Sequence, residues 1–171
     1  MKNLYTLLLF LFSFTFVFAE DIADNTYPTP ARLFHIARSA NRNLVCYDVN
    51  APHGRLDADN PIKVYWVNRE EHPGAIGGLS FIQRKLAYGY KVVKSDKDHC
   101  DFTLTAYPKR TFTLVPKGKG YVCEVTINGH RSELQSLYVK AHPRNPLKVE
   151  YVELRGKSVD SKEMVKERVK K

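Results

Sequence analysis

Apolar and polar positions alternate at period two along most of the chain beyond residue 31. That period sends successive side chains to opposite faces of a strand. Nine β-rich segments carry it: Arg32–Ala37, Leu44–Val49, Ile62–Asn68, Tyr90–Lys94, Phe102–Tyr107, Thr111–Val115, Tyr121–Ile127, Leu134–Lys140 and Leu147–Leu154. Their boundaries are polar or Gly/Pro-rich, as at Ala51–Pro61, Arg69–Gly78, Asp96–Asp101, Pro108–Arg110, Gly118–Gly120 and His142–Pro146. Asn128-Gly129 suits a type I′ turn, because both residues tolerate positive φ. It predicts Val125 opposite Ser132 and Cys123 opposite Leu134. A turn centred on Ala40–Asn41 sets Phe34 opposite Tyr47, Ile36 opposite Val45 and His35 opposite Cys46. The pattern predicts a mainly β domain over 32–156, an antiparallel β-sandwich or barrel of about nine short strands.

One stretch breaks the alternation. In Leu79–Tyr90 (LSFIQRKLAYGY) the apolar residues Leu79, Ile82 and Leu86 recur at i, i+3 and i+7. This predicts one short inserted helix, with Leu86 buried as the continuation of that stripe and Gly89 supplying the stop. Gln83, Arg84 and Lys85 then occupy the other face. A second helix signal stands near the C-terminus, where Asp160 and Glu163 have capping-box spacing and basic residues crowd the end. It predicts a charged helical tail over 157–171, with only Met164, Val165 and Val169 to pack.

The chain begins differently. Lys2 precedes an apolar run from Leu4 to Phe18 that ends at Val17-Phe18-Ala19, the arrangement of a signal peptide over 1–19. Cleavage after Ala19 leaves 152 of the 171 residues and no transmembrane span. Residues 20–31, with Pro28 and Pro30, read as a linker. The protein is thus expected to be exported, to a periplasmic or extracellular location. Net charge is +9, but the basic residues are scattered, and both scatter and export point away from nucleic acid. An anionic small molecule, a glycan or an envelope partner fits better. Of the cysteines Cys46, Cys100 and Cys123, an oxidising compartment allows one pair, and spacing does not choose which.

Familiar catalytic motifs (GxSxG, HExxH, Walker, GxGxxG) do not occur, and no cofactor or metal site is expected. Asp96, Asp98, His99 and Asp101 read as a charged turn rather than a metal centre. The candidate nucleophile is Cys46 with His35 as its base across the hairpin, although no third residue stands ready to orient the pair. A basic-aromatic set is the stronger candidate: Arg38, Asn41, Arg42, Gln83, Arg84, Lys85, Tyr88, Lys109 and Arg110. Arginine forks grip carboxylate or phosphate at two points, and Gln and Tyr add directional hydrogen bonds. Arg38, Asn41, Gln83, Arg84, Tyr88 and Arg110 are therefore the expected ligand contacts of a non-enzymatic binding domain. A Cys/His-dependent hydrolase or transferase of the envelope, or a purely structural envelope protein, are the alternatives.

Several strings also carry a resemblance. Arg38-Ser-Ala-Asn-Arg-Asn43 with Tyr47 and Asn50, Pro61–Trp66 (PIKVYW), Leu79–Gly89 (LSFIQRKLAYG) and Ala106–Arg110 (AYPKR) span most of residues 38–128. In these the chain resembles the exported family known as domain of unknown function 4833. The resemblance implies neither an activity nor a cofactor.

Overall fold

The alternating segments condense into one curled sheet of eleven strands. The computed structural model describes residues 31–170. The signal peptide expected at 1–19, and all but the last residue of the expected linker, lie outside them. The strands are β1 (Arg32–Arg38), β2 (Asn41–Val49), β3 (Ile62–Val67), β4 (Ile76–Gly78), β5 (Tyr90–Ser95), β6 (Cys100–Leu104), β7 (Tyr107–Lys117), β8 (Gly120–Ile127), β9 (His130–His142), β10 (Asn145–Ser158) and β11 (Met164–Lys170). Between β4 and β5 comes α1 (Phe81–Gln83), which continues as a single wide turn over Arg84–Tyr88.

The strand order is β4-β3-β2-β1-β9-β8-β7-β6-β5. Every ladder is antiparallel except β1–β9. β9 pairs with β8 through His130–Glu133 and with β1 through Ser136–Val139, while β10 runs along it from Ser132 to His142 and carries β11 outside. The predicted hairpins are present. Phe34 faces Tyr47, His35 faces Cys46, Ile36 faces Val45, and Val125 faces Ser132. Asn128 and Gly129 take the positive φ values, 49° and 82°, that a type I′ turn needs.

Curling brings β1 and β2 over β6 and β7. Phe34 stacks on Tyr47 at 4.4 Å and on Phe112 at 6.3 Å, and Phe112 stacks on Phe102 at 5.5 Å. All four rings are buried. Such offset stacks add to the transfer free energy of large apolar side chains.

Four local expectations are corrected. The tail is not helical: Met164–Lys170 is a strand whose ladder to β10 runs from Tyr151↔Lys170 to Lys157↔Met164. The open edge of β10 offers a partner to the backbone groups of alternate residues of that segment. In a strand Val165 and Val169 both reach the core, whereas a helix would have had only three apolar residues to pack. The Asp160–Glu163 segment forms the hairpin turn, closed by Ser158 N–H donating to Glu163 O at 2.8 Å.

Leu86 is not buried. Leu79 is 7 % exposed, but Ile82 and Leu86 are 66 % and 68 % exposed. Leu79 precedes the helix, and the turn after Gln83 closes by an i→i+5 bond from Gly89 N–H to Arg84 O at 3.0 Å. That wider winding breaks the 3.6-residue stripe on which the expectation rested. The β6–β7 turn falls at Thr105-Ala106, and Pro108–Arg110 instead bulge out between the pairs Thr103↔Thr111 and Leu104↔Tyr107. Finally, Ile76–Gly78 adds a short strand where a loop was expected.

These placements set contrasting mutational outcomes, measurable by denaturant titration of the chain and its variants. Leu137→Ala, at a buried β9 position, should cost about 2–5 kcal/mol. Leu86→Ala should change stability by less than about 0.5 kcal/mol.

Candidate functional site

The two ends of the curled sheet meet at a seam between β3 and β5. Asn50 N–H donates to Pro61 O at 2.8 Å, so the alternation of the ladder turns the N–H and C=O of Ile62 away from β2. Both are taken by one phenol. Tyr90 O–H donates to Ile62 O at 3.0 Å and accepts from Ile62 N–H at 3.3 Å. A side chain on one edge thus stands in for the missing neighbour strand of the other. Burial raises the Tyr90 pKa, against the opposing influence of the Ile62 backbone bond, so the hydroxyl keeps its proton at neutral pH.

The helix plugs the seam. Ser80 Oγ accepts from Gln83 N–H at 3.2 Å, and Gln83 Oε1 accepts from Ser80 N–H at 2.9 Å, a reciprocal cap. Gln83 Oε1 also accepts from the Trp66 indole at 3.2 Å, which ties the helix start to β3. Its end is held three ways. Tyr47 O–H donates to Tyr88 O at 2.7 Å, Arg38 Nη1 donates to the Tyr88 hydroxyl at 2.7 Å, and the Tyr88 ring meets Trp66 edge-on at 5.2 Å. Gly89 then leaves the helix so close to it that a Cβ would stand 2.1 Å from Arg84 O.

Beside the plug lies an open groove of about 680 Å³. Ile62, Val64 and Val92 give it apolar walls, Arg84 and Lys85 bring positive charge, and Asp59 a negative one. Among the described residues the Arg84 guanidinium has no hydrogen-bond or ion-pair partner. Lys85 Nζ lies 5.6 Å from the centre of the Phe81 ring.

The expected ligand contacts therefore separate into three groups. Arg38, Gln83 and Tyr88 meet at the plug, where their polar atoms are engaged with one another or with Trp66 and the backbone. Asn41 pairs with Arg38 across the β1–β2 turn, and its Oδ1 is buried without a hydrogen-bond partner among the described residues. Arg84 lines the groove. Arg110 is bound elsewhere: it grips Glu167 of β11 with bonds of 2.9 and 2.6 Å and donates to Thr126 O at 3.0 Å. Trp66, Tyr47 and Tyr90, which organise the seam, were missed. The only tryptophan of the chain, set in its most β-rich run, was the available signal.

His35 does sit across from Cys46, yet Cys46 is 0 % exposed in a small cluster with Leu44 and Val67. All three cysteines are buried thiols, and burial pushes Cys100 and Cys123 up. Cys100 and Cys123 flank Leu114 from neighbouring strands, so two ladder spacings, about 9.6 Å, separate them. That exceeds the reach of a disulfide. Asp96 Oδ1 accepts from the N–H groups of Asp98 and His99 and so closes the β5–β6 turn. Among the described residues no group of three His, Cys, Asp or Glu side chains is arranged to hold a metal ion.

Residues 34–168 match the family described as Domain of unknown function (DUF4833). No curated protein and no solved structure matches the chain.

The Arg110–Glu167 pair sets a pH dependence. Its hydrogen bonds, aided by Asn128 N–H, hold the Glu167 carboxyl below its ordinary 4.5 despite partial burial. A carboxylate depressed on folding adds stability that is present above the unfolded value and disappears as pH falls through the folded one. Thermal melts should therefore show a smaller loss of Tm between about pH 6 and pH 3 for Glu167→Gln than for the parent chain. Arg110→Ala at neutral pH should cost about 1–3 kcal/mol, since it strips a half-buried carboxylate of its partner.

Proposed function

The chain belongs to the family described as Domain of unknown function (DUF4833), and we propose that within it this protein is an exported, non-enzymatic β domain that binds an anionic ligand or partner at the seam groove. The observation that carries the reading is Arg84. Its guanidinium borders the groove, next to Lys85, without a partner of its own among the described residues. Arginines with a structural task in this fold have carboxylates or hydroxyls: Arg110 has Glu167, Arg168 has Glu153 and Arg38 has Tyr88. A guanidinium left open beside apolar walls suits a carboxylate, sulfate or phosphate that arrives with apolar substance attached. The groove also holds Asp59, so a monoanion or a spaced polyanion fits better than a dense charge cluster.

Export rests on the Leu4–Phe18 run and the small residue at Ala19. Among the described residues no helix is long and apolar enough to cross a membrane. A periplasmic or extracellular setting supplies glycans, envelope surfaces and anionic metabolites as ligand sources.

The His35–Cys46 pairing favours a second reading, a Cys/His-dependent hydrolase or transferase. Complete burial of Cys46 weighs against it, because a nucleophile must reach its substrate.

Two measurements test these readings. In calorimetric titration with a sulfated oligosaccharide as probe, Arg84→Ala should weaken binding by roughly tenfold or more, the scale of a lost charge-assisted bond. The loss should shrink as salt rises, and the melting temperature should stay close to that of the parent chain. Equal affinity for parent and variant would remove Arg84 from the site. Separately, a thiol reagent at neutral pH should label Cys46 only as fast as the chain unfolds; rapid labelling of the native protein would revive the enzyme reading.

A further inference from the structure

The helix beside the groove is turned the opposite way from an ordinary amphipathic helix. Gln83, Ala87 and Tyr88 face the sheet, while Phe81, Ile82 and Leu86 are 75 %, 66 % and 68 % exposed. Lys85 is exposed beside them, its Nζ 5.6 Å from the centre of the Phe81 ring, so the three apolar side chains and Lys85 lie together on the outward side. Arg84 flanks it. The segment from Phe81 to Tyr88 contains no carboxylate. The neighbouring strand β5 repeats the combination, with Val93 61 % exposed and Lys91 and Lys94 exposed around it. Large apolar side chains grouped in the open mark an interaction surface. Here the charge on the helix and on β5 is positive, with Asp59 across the groove.

A protein partner would have to offer a cavity shaped to side chains that project this far. A bilayer needs no such shape. Its headgroup region admits aromatic and aliphatic side chains, and its phosphates meet the cations at the same depth. We propose that the outward face of this helix docks the protein on an anionic bilayer surface, with Phe81, Ile82 and Leu86 entering the headgroup layer and Arg84 and Lys85 contacting lipid phosphates. The proposal rests on the anion-binding reading above, because the same two cations serve both.

The test uses the chain from Glu20 onward. It retains every described strand and core residue and lacks the Leu4–Phe18 run, which would enter lipid by itself. Flotation is compared between vesicles of phosphatidylcholine alone and vesicles containing about a third phosphatidylglycerol. The chain should float with the anionic vesicles and stay behind with the neutral ones. The triple variant Phe81→Ser, Ile82→Ser, Leu86→Ser should lose flotation while keeping its melting temperature. Arg84→Gln and Lys85→Gln should each lower vesicle affinity by about fivefold, less at high salt. Undiminished flotation of the triple variant overturns the proposal. So does a parent chain that ignores vesicles but self-associates in sedimentation through the same three residues, which would make the face an interface between copies. Binding of the sulfated oligosaccharide without binding of anionic vesicles overturns lipid docking and leaves the anion reading standing. Failure to bind either removes both.

Discussion

The fold depends on a limit of backbone hydrogen bonding: each stretch of a strand edge accepts one neighbour. β9 meets that limit by being long. Its thirteen residues give one edge to β8 and then to β1, and the other edge to β10. The hairpin series β8-β7-β6-β5 and the series β1-β2-β3-β4 therefore leave the same strand at different heights. Twist then rolls them toward each other. They meet at the Phe34–Phe112 stack in the core and at the Tyr90–Ile62 bonds along the seam.

The seam shows how two free edges of the sheet are protected. An exposed edge invites pairing with other chains. Here Tyr90 caps Ile62 of β3 with both halves of its hydroxyl, and the wide-turned helix covers the rest under the hold of Trp66, Tyr47 and Arg38. Burying the polar anchors Gln83 and Tyr88 prevails over burying Ile82 and Leu86. An unsatisfied indole, carbonyl and guanidinium inside would cost about 1–3 kcal/mol each, together as much as burying the two aliphatic side chains would gain at about 1.5–3 kcal/mol each. The apolar face is left outward as a consequence. Closure and a candidate binding surface arise from one choice.

Charge divides in the same manner. At β10–β11, Glu153 is nearly buried; burial drives its carboxyl up, but hydrogen bonds from Arg168 and Arg155 prevail and leave it lowered. The Arg110–Glu167 grip fastens β11 to the bulge of β7 and, through Thr126 and Asn128, to the end of β8 and the β8–β9 turn. These pairs engage Arg110, Arg155 and Arg168 inside the fold but leave the net charge of +9 untouched. Beside the groove the cations open to a ligand are Arg84 and Lys85.

Local chemistry was enough to determine nine of the eleven strands and the pairing of two hairpins. Period-two alternation, the Asn128-Gly129 pair and the β-branched run at Ile62–Val67 act over a few residues, so Phe34↔Tyr47, His35↔Cys46 and Val125↔Ser132 were legible from spacing alone. The resemblance in Leu79–Gly89 was equally local. Which expected ligand residues share a surface was not, because that depends on partners distant in sequence. Arg110 meets Glu167 fifty-seven positions away and Arg38 meets Tyr88 fifty positions away. The tail was misread for the same reason: Val165 and Val169 with an unclaimed edge of β10 make a strand, and only the assembled sheet supplies that edge. Leu86 faces outward because Trp66 and Tyr47 claim the other side of its helix, a competition that periodicity within one segment does not contain.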